Sequence, residues 1–337
     1  MAKSYIQCSG KAVENDPRFK HVMAITLDPQ SEYCEGVIRC IMSREGEVDQ
    51  GGYIDRSELY KIKGETLHTF KIGEKLSIKN EEEMVKQIAG DDYDFLGLED
   101  PDIHIDATSN RVYLYFTMPF LGKNGQDSKI YIGQAIGKDL DSLEMVKPVL
   151  LNGKEISVVP ANADGIRLNL FEAGKKENDL HYSVVQVAKT INMADSWEPG
   201  DIIFHPAEQG IKWIAGHASP GPFFNKSFID VGEGKMLGVI NGRESNKKGK
   251  YGMFSIGLFI YDYEKGKIDW VSPEPFIKDT DARTITFASQ FVETEKEAGI
   301  LYAHVDDSFV RAYLLSASNV RKKLPKNLHH PVRLAKK

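Results

Sequence analysis

Apolar and polar positions alternate along this chain in short runs, and the runs come in pairs. His21 to Ile25 and Tyr33 to Met42 are apolar segments separated by Asp28-Pro29-Gln30-Ser31, residue types that favour a turn, so together they predict a β-hairpin. Ser57 to Ile72 supplies further short strands, and Glu81 to Ala89 is the one brief stretch before the middle of the chain with helical spacing. Ile103 and Ile105 then alternate with His104 and Asp106, a turn follows at Thr108 to Asn110, and Val112 to Phe116 is a buried, β-prone strand. The pairing returns in Ile166 to Phe171 with Leu180 to Val187, around a turn at Gly174 to Asn178. It returns again in Phe228 to Val231 with Lys235 to Ile240 across Gly232-Glu233-Gly234, and in Ile285 to Glu293 with Gly299 to Val305.

Acidic or proline-containing turns accompany these pairs. Asp16-Pro17 precedes the first and Glu99-Asp100-Pro101 the second. Asp164-Gly165 opens the third, Ser219 to Pro222 the fourth, and Asp306-Asp307 follows the last. Strand pairs recurring about every sixty residues fit a β-propeller with long loops, since a four-stranded blade needs roughly 40 to 50 residues. A β-sandwich with long insertions gives a similar pattern. The expected fold class is all-β, a five-bladed β-propeller, with residues 1–337 as one domain.

Composition narrows the function classes. The 337 residues, 41% hydrophobic and 27% charged, describe a globular chain with no disordered tract. With 43 basic and 49 acidic residues the net charge is −6, which disfavours a nucleic-acid partner because that needs a basic face. Cys8, Cys34 and Cys40 are odd in number and lack zinc-site spacing, as expected for reduced thiols in a cytoplasmic protein. The first residues lack the apolar core of a signal peptide, and no apolar run is long enough for a bilayer. The expectation is a cytoplasmic protein with no membrane contact, no metal and no cofactor, its oligomeric state not encoded.

Asp100 is the first candidate for chemistry. Pro101 pushes the residue before it away from helical geometry, so the carboxylate is expected on extended, stiff backbone; a turn cap is the plainer alternative. Asp307 is a candidate second catalytic or sugar-binding carboxylate, with a solvated turn as its alternative. Asp16, Asp164 and Glu172 rank behind. The apolar loop around Trp213, His217, Phe223 and Phe224 is expected either to line a pocket or to pack between blades.

Gly97 to Ile105 (GLEDPDIHI), followed by Arg111 to Met118 (RVYLYFTM), resembles the EDPR-containing blade of a five-bladed propeller family of glycoside phosphorylases and hydrolases acting on β-mannosides. Phe287 to Val320 resembles that family's closing segment, and Pro222 to Asn241 its fourth blade. The wider superfamily includes arabinofuranosidases, xylosidases and fructosidases. The resemblance implies that Asp100 is the catalytic acid, that Glu99 orients it or binds a sugar hydroxyl, and that Arg44 reaches the sugar at the cleavage subsite. A surface ion pair of Arg44 with Glu45 or Glu47 is the alternative. Asp102 stands where the family has arginine.

Phosphorylases of this type surround phosphate with arginine, lysine and histidine. Here the corresponding strands read Leu180-His181-Tyr182-Ser183 and Val239-Ile240-Asn241-Gly242-Arg243, with Arg167, Lys212 and Arg243 as partial replacements. The expected function is therefore a glycoside hydrolase acting on an oligosaccharide. A phosphorylase using inorganic phosphate and a catalytically silent sugar-binding propeller are the alternatives.

Overall fold

The computed structural model describes residues 7–47, 52–178, 180–246 and 251–328. The chain is all-β. β1 (Gln7–Val13) runs first and pairs with the last strand of the chain. β2 (His21–Leu27), β3 (Glu35–Glu45), β4 (Ile54–Thr66) and β5 (Thr69–Lys75) follow as one antiparallel sheet. Helix α1 (Glu81–Ala89) leads to β6 (Tyr93–Phe95), β7 (Glu99–Ile105), β8 (Val112–Gly122), β9 (Lys129–Gly137) and β10 (Glu144–Leu151), with β6 and β7 sharing one edge of β8.

The third set is β11 (Gly153–Ser157), β12 (Arg167–Glu177), β13 (Leu180–Thr190) and β14 (Glu198–Phe204). The fourth is β15 (His217–Phe223), β16 (Lys235–Arg243), β17 (Phe254–Asp262) and β18 (Lys267–Val271). A parallel bridge between Ser183 and His217 joins these two sets into one eight-stranded sheet. β19 (Thr286–Glu295), β20 (Ala298–Val305) and β21 (Phe309–Ser316) are completed by β1, which pairs with β21 from Gln7 opposite Leu314 to Val13 opposite Val310 with two register shifts on the way.

The central strands are apolar on both faces because a neighbouring sheet covers each face. Val37 packs with Leu114 between the first and second sets, Tyr115 with Phe171 between the second and third, and Val187 with Ile240 between the third and fourth. Leu258 and Leu301 share the next cluster, and Ile300 and Ile38 the one that returns to the first set. The first strands of the five sets, with β7 taken for the second because β6 is a three-residue edge strand, are β2, β7, β11, β15 and β19; they also touch in that order, and β19 touches β2. Each of the five is interrupted by a bulge, at Met23/Ile25, Glu99/Asp102, Lys154/Ile156, Pro220/Phe223 and Ala288/Gln290. A bulge twists a strand and re-aims the extra side chain.

Two expectations need correction. Asp100 is not extended: its φ is 48°, in the left-handed region, because it is an extra residue of the β7 bulge. Phe228 to Val231 is not a strand. Phe228 and Ile229 donate backbone hydrogen bonds to the Asn225 carbonyl, and their apolar side chains anchor this turn in the core. The partner of β16 is instead β15. Trp213, just before β15, is buried where Gly242 and Gly257 leave room; a Cβ on Gly257 would lie 2.3 Å from its ring. No helix among the described residues is long and apolar enough to cross a membrane.

Candidate active site

A cavity of about 520 Å³ lies among the strand sets. All five strand sets supply its wall: Met23 and Arg39 from the first, Asp100 from the second, Lys154, Glu155 and Glu172 from the third, His217 and Arg243 from the fourth, Phe287 and His304 from the fifth. Asp307 joins them from the turn after β20, where its φ of 49° follows that of Asp306 at 51°. Asp306 holds this turn by accepting from the backbone N–H groups of Arg283, Thr284 and Ile285.

Arg39 is the buried hub. Its Nη1 donates to Asp100 Oδ1 at 2.9 Å, Nη2 to Glu99 Oε1 at 2.7 Å and Nε to Ser57 Oγ at 2.9 Å. Burial alone would weaken the charged guanidinium, but Glu99, Asp100 and Asp55 outweigh it and raise its pKa. Burial pushes the Glu99 carboxyl up to about 7, against the pull of Arg39 and with Asp100 adding to the rise. Arg44 grips Asp55 with two bonds of 2.6 and 2.7 Å, lies over the Tyr53 ring and comes within 3.9 Å of Asp307. His304 stacks on Phe287 and places Nε2 3.2 Å from Asp307 Oδ1. Burial opposes ionisation of Asp307, and His304, Arg44 and Arg39 overcome it, holding its pKa below the usual value.

Glu155 is the extra residue of the β11 bulge, with φ of 47°, and its carboxyl hydrogen-bonds with that of Asp100. Burial, the negative charges of Asp100 and Glu172, and this bond keep Glu155 protonated far above the ordinary carboxylate range, against the pull of Lys154. Glu172 behaves oppositely. Burial opposes its ionisation, but His217 Nε2 and Lys154 Nζ, each 3.1 Å away, hold it ionised. The His217 imidazole is itself drawn down by burial, despite Glu172. Arg243 lies over the rings of Tyr251 and Phe254 and bonds to Asn246 and to the Gly216 carbonyl, 3.3 Å away. Burial lowers its pKa, and no carboxylate among the described residues forms an ion pair with it.

Of the residues singled out in the sequence, Asp100, Asp307, Glu172, His217 and Arg243 line the cavity. Glu99 and Arg44 stand directly behind it, and the partner of Arg44 is Asp55 rather than Glu45 or Glu47. Three lie apart. Asp16 binds Arg18 at the protein surface, Asp164 sits in an exposed turn capped by Asn162, and Arg167 donates to the Val159 carbonyl. Arg39, Asp55, Lys154, Glu155 and His304 were missed. The one sequence signal for Lys154 and Glu155 was two adjacent charges inside a short segment between Gly153 and the apolar Ile156. Among the described residues no group of three or more His, Cys, Asp or Glu side chains is arranged to hold a metal ion.

No protein-family model and no curated protein sequence matches the chain. Solved structures do. A β-1,2-mannobiose phosphorylase from Listeria innocua, in complex with β-1,2-mannobiose, superposes with a TM-score of 0.62 at 12% identity, covering 96% of this chain and 94% of that one. A mannose phosphorylase from Leishmania mexicana, in complex with a phosphate ion, gives 0.55 at 13% identity, with coverage of 97% and 93%. A thermostable family-43 glycoside hydrolase gives 0.53 at 13%, with coverage of 89% and 91%. The fold is that of the β-propeller glycoside hydrolases and phosphorylases.

Proposed function

We propose that residues 1–337 form one closed five-bladed propeller that hydrolyses a β-mannoside or related oligosaccharide. Three features support closure: five strand sets, a core cluster between each set and the next, and completion of the last set by β1. The observation that carries the chemistry is one cavity with carboxyls in opposite states. Glu155 is held protonated against Asp100, while Asp307 and Glu172 are held ionised. Environments that drive carboxyl pKa values apart assign the acid and the base.

In this reading the Asp100–Glu155 pair gives its proton to the glycosidic oxygen as the bond to the anomeric carbon breaks. A water adds to that carbon and its proton passes to Asp307. Glu172 is already engaged by Lys154 and His217, whereas among the described residues Asp307 Oδ2 has only Arg44, 3.9 Å away, which leaves that oxygen for water. Arg39 fixes the other side of Asp100. That Asp100 faces the same cavity as Glu172 and Asp307 also favours catalysis over a silent scaffold. A screen of aryl glycosides and manno-oligosaccharides, with and without phosphate, tests the proposal: free sugar released at equal rates in both supports it.

One observation favours phosphorolysis as the second reading. Arg243, buried at the cavity wall with no carboxylate partner among the described residues, offers a phosphate, together with Lys154, the charge-assisted donors it needs, and His217 lies beside them. Formation of a sugar phosphate only when phosphate is supplied would establish that reading instead.

A further inference from the structure

We propose that the far side of the Asp100–Glu155 pair is a water-filled antechamber through which the pair recovers its proton, and that Asp102 carries the proton across it. The inference rests on the reading of this pair as the proton donor.

A second cavity, about 270 Å³, lies beyond the first. Asp100, Glu155, Phe287 and His304 border both, so the two spaces adjoin at these residues. Asp102, two residues after Asp100 on β7, borders only the second, with Ser157, Ser289 and Gln290 giving the wall polar groups. The space has room for roughly nine waters at the ~30 Å³ each takes up in the liquid. Among the described residues nothing hydrogen-bonds to the Asp102 carboxyl, and burial alone pushes it up to about 7. Water is the partner that remains.

The titratable groups facing this space do not fix the charge on Asp102. Asp100 and His104 lie on its own strand, Tyr115 is opposite on β8, Glu155 is on β11, His304 on β20, and Tyr33 follows β2. Burial and the charge of Arg167 draw His104 down to about 4, so it is neutral at working pH. Arg167 acts on His104 and Tyr115, and among the described residues no cation is paired with Asp102 itself.

Each turnover leaves the pair one proton short and Asp307 one proton over. Sugar in the front cavity blocks exchange there until it leaves. A proton entering from bulk water at Asp102 crosses the antechamber along hydrogen-bonded water to Asp100 or Glu155, and Asp307 returns its own proton to solvent when the front empties. A fixed arginine at position 102 would repel a proton in this space, whereas an aspartate transfers one.

The test is Asp102→Asn in the full chain, assayed on a manno-oligosaccharide in H₂O and D₂O. Expected are a kcat lower by about tenfold, an unchanged kcat/KM, a larger solvent isotope effect on kcat, and rescue by formate or imidazole. Ser289→Phe, filling the antechamber from β19, should lower kcat without buffer rescue. An activity-independent readout is infrared hydrogen–deuterium exchange of the Glu155 carboxylic acid in excess β-1,2-mannobiose, with Glu155→Gln identifying the band; Asp102→Asn should slow it. Unchanged kcat and exchange overturn the proposal. So does an equal loss of kcat and kcat/KM, which would place Asp102 in bond breaking or in the fold. If wild type cleaves no glycoside yet Glu155 exchange still depends on Asp102, the hydrolytic reading fails and the antechamber stands.

Discussion

Asp100 and Glu155 occupy equivalent places on successive first strands, and their carboxyls meet. Each belongs to a bulge, with φ of 48° and 47°, and each faces the axis from a backbone that non-glycine residues seldom adopt. Burial, the charges of Asp100 and Glu172 and the contact with Asp100, 55 positions away in sequence, keep the proton on Glu155. The raised pKa required of a proton donor thus appears on Glu155, which Asp100 faces.

Glu155→Gln should therefore cost about as much as loss of a general acid, roughly 10² to 10⁴ in rate on a natural oligosaccharide. Wild-type activity needs the pair protonated and should fall as pH rises through the elevated Glu155 pKa, and the variant should lose that alkaline limb. A pH–rate profile of both proteins checks this.

Arg39→Ala should destabilise the fold by about 3 to 5 kcal/mol, because removing one member of a buried ion-pair network leaves its partners, here Glu99 and Asp100, without the guanidinium that offsets their charge. Arg39→Lys keeps the charge but not the fork that reaches both carboxylates, so it should recover part of the stability with a lower kcat. Urea denaturation and initial rates separate the two effects.

Asp102 makes stability depend on pH. Its folded pKa is about 7 against an ordinary value of 3.8, so the folded state holds the proton more tightly and stability declines as pH rises between those values. Asp102→Asn removes this loss. Its melting temperature should match wild type near pH 4 and exceed it above pH 7, which thermal scans at both pH values will show.

Much of the fold was legible. α1 coincides with the segment whose spacing marked it, Glu81 to Ala89, and the hairpins of β2 with β3, β12 with β13, and β19 with β20 follow the apolar runs. Asp100 stood out because of Pro101, and Asp307 because of the doubled acid. Arg39 did not, since a polar residue between Ile38 and Cys40 reads as the outer face of an alternating strand. What makes it a hub is the arrival of Glu99 and Asp100 from the next strand set. Glu155 lies in a strand of only five residues, too short to show a period, and its role depends on a bulge that leaves no mark in the sequence. The same acid-in-a-turn signal that identified Asp100 also picked out Asp16 and Asp164, where it reports only local pairing and capping.

The proposed closure of the ring predicts one cooperative unfolding transition. Core clusters join every strand set to the next, so no set can melt without exposing its neighbours. Deleting residues 1–13 removes β1 and bares the edge of β21, and should lower that single melting temperature. Two separate calorimetric transitions in the full chain would contradict closure.

The most direct measurement is the rate of Asp100→Asn on a manno-oligosaccharide and on an aryl mannoside, each with and without phosphate. The predicted result is release of free sugar regardless of phosphate, a loss of about 10² to 10⁴ on the oligosaccharide and a smaller loss on the aryl substrate, whose leaving group needs less protonation. Near wild-type activity of Asp100→Asn on the oligosaccharide, with Asp307→Asn inactive, would contradict it and move the acid to the turn after β20.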